Sequence, residues 1–214
     1  MYTKGENKLL SVRIRNLSKR HFQSNFSVYF ILTICFILGI IAGAFLINRL
    51  NYEESLKFAN YFSWIFEYIQ VGNSKSINIF KSSLFYNTKM ILIIWFSSLI
   101  SIGVLIIPLI VSLKGITIGV TVGFLVKKFG MKGFIFASSG LLPHYLIIIP
   151  GFLAIGALGI TYSLYSTKNK KGKVNNNMID YSILILLFFI IIILGVLIEG
   201  FFTPYLLNLI QFKL

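Results

Sequence analysis

Residues 108–150 read PLIVSLKGITIGVTVGFLVKKFGMKGFIFASSGLLPHYLIIIP, a run that is glycine-spaced, charged and bracketed by proline. Gly115, Gly119 and Gly123 recur every four residues, so a helix lines them on one face, and a face without side chains admits the backbone of another helix. Lys114 stands just before this face, and Lys127, Lys128 and Lys132 follow it. The lysines confine the apolar run between them to about one short membrane span.

Working outward, the whole chain shares the apolar character of this stretch. Of 214 residues, 57% are hydrophobic and 12% charged, and the mean hydropathy is +0.84. These values exclude an ordinary water-soluble domain and predict an integral membrane protein. The segments left between apolar runs are too short to hold a core of their own, so residues 1–214 read as a single membrane domain.

The net charge of +14 does not point to nucleic acid. Lys4, Lys8, Arg13, Arg15, Lys19 and Arg20 form one basic cluster, and Lys168, Lys170, Lys171 and Lys173 form another. Both flank apolar runs, where they orient spans and meet anionic lipid. The single cysteine, Cys35, lies inside an apolar run, away from any partner for a disulfide or a thiolate metal site. The first apolar run is too long for a cleavable leader, and Ile47-Asn48-Arg49 lacks small residues for cleavage, so it is expected to remain as a span.

The predicted architecture is an all-α, polytopic membrane helical bundle of five transmembrane helices at 27–50, 89–107, 109–126, 143–165 and 181–202. A basic cytoplasmic tail occupies 1–26, and a cytoplasmic basic loop 166–180. The extracytoplasmic segment 51–88 is expected to carry an outer amphipathic helix, with Phe58, Phe62, Trp64, Ile65 and Ile69 as partner-binding candidates. Pro108 and Lys114 bound a tight cytoplasmic connection. Residues 127–142 form an irregular outer one, whose portion 133–142 is too short to cross and is expected to insert halfway. The N-terminus is cytoplasmic and the C-terminus extracytoplasmic.

Helix packing is assigned to Gly39, Gly43, Gly115, Gly119, Gly123, Gly156 and Gly159, either within one chain or in a homodimer. The chemical inventory is thin. There is no Ser-His-Asp set, no HExxH and no phosphate loop, so neither catalytic nor metal residues are assigned, and no cofactor is expected. Lys127, Lys128, Lys132, His144 and Glu199 are expected to form a polar cluster on the outer rim, in which Glu199 neutralises a lysine.

Leu113-Lys114-Gly115, Val122-Gly123-Phe124-Leu125-Val126, Leu142-Pro143 and Ile149-Pro150 resemble the stage II sporulation protein M family of endospore-forming bacteria. The basic N-terminus, the aromatic outer segment and the basic loop before the last span are similar as well. The resemblance implies a protein of the engulfment machinery. Such a protein anchors and localises the peptidoglycan-degrading stage II sporulation proteins D and P at the septal membrane. The wider family often shows Pro-His-Gly-x-x-Glu-x-Pro at the corresponding helix start. Pro143, His144 and Pro150 match it, whereas Tyr145 replaces the glycine and Ile148 the glutamate, which removes the histidine's acidic partner. A non-catalytic scaffold is therefore expected. The alternative is a transporter or channel for ions or small solutes, with a cavity near residues 133–142.

Overall fold

The computed structural model describes residues 25–51, 53–54, 56–58, 60, 76–168 and 174–203, and every regular element among them is helical. Phe62, Trp64, Ile65 and Ile69, together with the basic segments 1–24 and 169–173, lie outside the described residues. The elements are α1 (Phe26–Asn48), α2 (Ser76–Ser98), α3 (Gly103–Lys168) and α4 (Val174–Leu197), the last continued by a π-helical turn, Ile198–Phe202. Three helices are long and apolar enough to cross a membrane: Phe26–Asn48, Gly103–Tyr165 and Met178–Phe202.

The second of these folds back on itself. Gly130, at φ 59° and ψ −135°, breaks α3 into two arms, 103–129 and 131–168. Only glycine adopts this backbone conformation without strain, because a Cβ would collide with its own flanking peptides. Beyond the turn a Cβ on Gly133 would strike the backbone of Leu125, so the arms touch at once. At 1.5 Å per residue the first arm is about 40 Å long, enough to span a bilayer core.

This geometry corrects three sequence expectations. Residues 127–142 are not an irregular connection, because 131–142 form the opening turns of the second arm. The connection expected between Pro108 and Lys114 lies instead at 99–102, where Gly103 N bonds to Ile100 O and Ile106 N to Ile102 O. Helix α2 likewise runs from Ser76 to Ser98 rather than from 89 to 107, so 76–88 belong to this helix and not to a separate outer segment.

Every sequence-adjacent pair of rods from α2 onward packs antiparallel. Asn87 of α2 meets Lys114, Gly156 of the second arm meets Val111, and Ile192 of α4 meets Gly151. Helix α1 is the exception. Its contacts with the first arm advance together along both chains, from Phe36 with Gly115, through Ile40 with Gly119 and Ala44 with Gly123, to Ile47 with Lys127. The two helices therefore run parallel.

The sequence sets this contact. Gly39 and Gly43 on α1 face Ser112 and Ile116, while Gly115 and Gly119 face Phe36 and Ile40, and a Cβ on any of the four would collide with the opposing backbone. In a solvent as apolar as the side chains themselves, such close backbone approach is what gives two helices a reason to associate. The seam thus joins two elements of one chain. At Gly156 and Gly159 the fit is to side chains instead, with Gly156 against Leu32 and Gly159 against Ile107 and Ile94.

The core is continuous through the bundle and includes a layer of Ile94, Ile107, Val111 and Ile155, each 0% exposed. A smaller cluster of Leu125, Phe136 and Ala137 lies under the Gly130 turn. The opposite end is tied by polar groups. Tyr181 donates to Ser98 at 2.6 Å and stacks on Tyr162, and Ser163 donates at 2.8 Å to Ile100 O in the tight connection.

Candidate functional site

Four polar side chains join three rods inside this apolar frame. Lys114 Nζ donates to Asn87 Oδ1 at 3.0 Å. Asn87 Nδ2 donates to Ser83 Oγ at 3.2 Å and to Ser83 O at 2.9 Å. Ser83 Oγ in turn donates to Glu199 Oε2. Each bond points the same way, from ammonium to carboxylate, so the dipoles of the amide and the hydroxyl add to the field between the two charges.

The sequence supplies this relay by spacing. Ser83 and Asn87 are four residues apart and share one face of α2, and that face is turned toward α3 and α4. Glu199 lies within the π turn, where the widened helix also places Gly200 against Phe80. Such turns are uncommon and recur at functional sites.

Lys114 is only 4% exposed, although it carries a charge. Counted from Gly103, it lies about 16 Å along a first arm that is about 40 Å long. It is therefore not a marker of the span's end. The helix continues eleven residues below it because Pro108 falls inside the helix instead of closing it. The ammonium is held at this depth by Asn87 and by ring faces, with Tyr86 at 4.6 Å and Tyr145 and Phe152 both at 5.8 Å. Aromatic faces attract a cation that water cannot reach.

His144 lies beside the same end of α4 and is 2% exposed. Its ring nitrogen Nδ1 is 3.3 Å from Thr203 Oγ1, and that hydroxyl is 3.3 Å from Gly140 O. With the hydroxyl proton given to Gly140 O, Nδ1 is the nitrogen that carries hydrogen and donates to Thr203. This arrangement assigns Nε2 as a bare lone pair, and Nε2 is the buried side-chain atom without a hydrogen-bond partner among the described residues.

Of the five residues expected at the outer rim, the structure brings His144 and Glu199 together along one stretch of α4. The backbone of His144 lies against Gly195 and its ring against Thr203, positions that bracket Glu199. Lys127 turns to α1 and donates to Ile47 O at 2.8 Å, Lys128 lies over the Phe129 ring, and Lys132 is exposed. Glu199 is thus connected to Lys114 through the relay rather than to these lysines. Ile148, which stands where the wider family has a glutamate, is 0% exposed and fills the space over Gly195.

Sequence reasoning missed Ser83, Asn87 and Thr203. The available signal was Asn87, a buried amide within a helix that also forms part of the membrane bundle. Phe58, the one outer aromatic candidate that is described, is half-buried with its ring 6.1 Å from that of Phe124. Among the described residues no group of three or more His, Cys, Asp or Glu could hold a metal ion.

Neither a curated protein nor a solved structure matches the chain. A family model, stage II sporulation protein M, matches residues 32–204. That span includes the glycine seam, the Gly130 turn and every member of the relay from Ser83 to Glu199, and the chain belongs to the stage II sporulation protein M family.

Proposed function

We propose that this sporulation-family membrane protein is a non-catalytic scaffold of the engulfment machinery. It anchors peptidoglycan-degrading partners, the stage II sporulation proteins D and P, at the septal membrane. The observation that supports this reading is the sealed interior. The layer of Ile94, Ile107, Val111 and Ile155 is wholly buried and places a closed apolar barrier within the bundle. A rigid, closed bundle suits a platform better than a conduit.

In this reading five rods cross the bilayer: α1, α2, the two arms of α3, and α4. The basic clusters at the N-terminus and before α4 lie in the cytoplasm, and the Gly130 turn faces outward. The stretch of sequence that follows α1 then belongs to the side where cell-wall chemistry takes place. Co-purification from sporulating cells tests the assignment. Phe62→Ala with Trp64→Ala should abolish recovery of the hydrolases while the bundle stays folded. Unchanged recovery from that variant would overturn it.

One observation favours a second reading, transport. Lys114 is buried inside the bundle, and buried ionisable groups within membrane spans often serve ion or solute pathways. Solute or ion flux into liposomes that is lost in Glu199→Gln would establish it.

A further inference from the structure

We propose that Glu199 and Lys114, joined through Ser83 and Asn87 and flanked by His144, form a proton-binding site that opens only toward the Gly130 end of the bundle. This inference stands apart from partner recruitment and would hold whether or not the chain anchors hydrolases.

Three observations support it. The first is the direction of the relay. Its hydrogen bonds run head to tail from the Lys114 ammonium to the Glu199 carboxylate, so the far end is an acceptor whose capacity depends on its charge. The second is the exposure gradient. Glu199, Ser83 and Thr203 are half-buried, Asn87 and Lys114 are buried, and the isoleucine and valine layer beyond them is closed. A proton would thus enter from the Gly130 end, with the apolar layer standing between the site and the other end. The third is His144 Nε2, a buried lone pair beside the same turn of α4 with no competing hydrogen bond among the described residues.

The groups that surround Glu199 come from each neighbouring rod. From α2 Ser83 acts directly and Asn87 through it, from the first arm of α3 Lys114, and from the second arm Tyr145, while Tyr86 lies against Lys114 and His144 against Thr203. Lys114 is the cation of this set. A structural ion pair would need a single partner and no relay. Here an amide and a hydroxyl separate the charges, and the hydroxyl can reverse its hydrogen bond to Glu199 without moving a helix.

The step itself is a simple protonation. A proton from water at the Gly130 end forms an O–H bond on the Glu199 carboxylate and cancels its charge, and no electrons are exchanged. The bond to Ser83 then reverses, with Glu199 donating and the serine oxygen accepting. This leaves the Lys114 charge uncompensated and weakens the tie between α2 and the π turn. The site reads acidity on one side of the membrane and converts it into a change in the α2–α4 contact.

The test is infrared difference spectroscopy of the full chain in liposomes, with pH stepped on each side separately. The expected result is a protonated-carboxyl C=O band that grows as the medium facing the Gly130 end is acidified and does not respond to the other side. The band should be absent in Glu199→Gln and present at a shifted frequency in Glu199→Asp. In Lys114→Met its midpoint should move to higher pH by about one unit or more, because the carboxylate loses the cation that favours its charged form. A band absent from wild type at all pH values, equal on both sides, retained in Glu199→Gln, or unmoved in Lys114→Met would overturn the proposal. The wild-type and Glu199→Asp measurements carry the test even if one of the neutral variants fails to fold.

Discussion

Gly119 lies against Ile40 so closely that a methyl group on it would stand 2.9 Å from the Ile40 carbonyl carbon and closer still to the carbonyl oxygen. Backbone cannot yield as a side chain end can. Gly119→Ala should therefore cost about 1–3 kcal/mol or more, and Gly119→Leu should prevent assembly of α1 on α3. Thermal unfolding in detergent measures the first, and protease resistance of the N-terminal helix the second. An alanine variant as stable as wild type would mean that the seam is looser than its geometry.

Ala44 and Gly123 offer a direct check on which chain supplies each side of the seam. A Cβ on Gly123 would lie 3.5 Å from that of Ala44, within the range a disulfide needs. In a Cys35→Ser background, oxidation of the Ala44→Cys, Gly123→Cys double variant should give a cross-linked monomer. A cross-linked dimer as the main product would place the seam between two chains.

Much of this architecture was legible before the structure, for physical reasons that differ by element. Helices α1 and α4 are unbroken apolar runs, and membrane burial makes such runs the strongest signal a sequence carries. The glycines at 115, 119 and 123 are local, so their shared face follows from helical period alone. Lys114 misled because a lysine near a proline resembles a helix end, whereas here the prolines lie inside a helix that neighbouring rods support. The relay was illegible because Ser83 and Glu199 are 116 residues apart, and only the order of packing brings them together.

Gly130 makes a prediction about backbone in isolation. Apart from its own flanking peptides, nothing among the described residues lies within 4 Å of where its Cβ would be, so no other part of the bundle obstructs a side chain there. Gly130→Ala should still destabilise the chain by about 1–3 kcal/mol, through the positive φ alone. Gly130→Asn should do no better, because ψ −135° lies outside the left-handed helical region that asparagine tolerates. Unfolding midpoints of the two variants should fall together, below wild type. A tolerated asparagine would mean that the turn relaxes to a different conformation.

The relay should also appear as energetic coupling. Lys114→Met and Glu199→Gln each strand the opposite charge, whereas the double variant strands neither. A double-mutant cycle on unfolding free energy should give a coupling of about 0.5–3 kcal/mol, with the double variant more stable than the two losses added together. Simple additivity would show that the two charges do not sense each other through Asn87 and Ser83.

At the other end of the bundle, Tyr181→Phe removes the 2.6 Å bond to Ser98 and keeps the stacking on Tyr162. The expected loss is about 0.5–1.5 kcal/mol, with no change in the infrared carboxyl band. A changed band would mean that the two polar zones communicate across the isoleucine layer.

The parallel course of α1 and the first arm of α3 has a consequence for how the protein is made. Antiparallel neighbours can zip together as soon as the second one leaves the ribosome, because a short turn holds them side by side. A parallel pair cannot do this. When α1 has been made, the glycine face it requires is still unsynthesised, and α2 must follow, running in the opposite direction, before that face arrives. Until then Gly39 and Gly43 have only lipid against them. The N-terminal helix is thus a waiting partner during biogenesis, held in place by its own hydrophobicity, and insertion order is built into the fold as firmly as the contacts themselves.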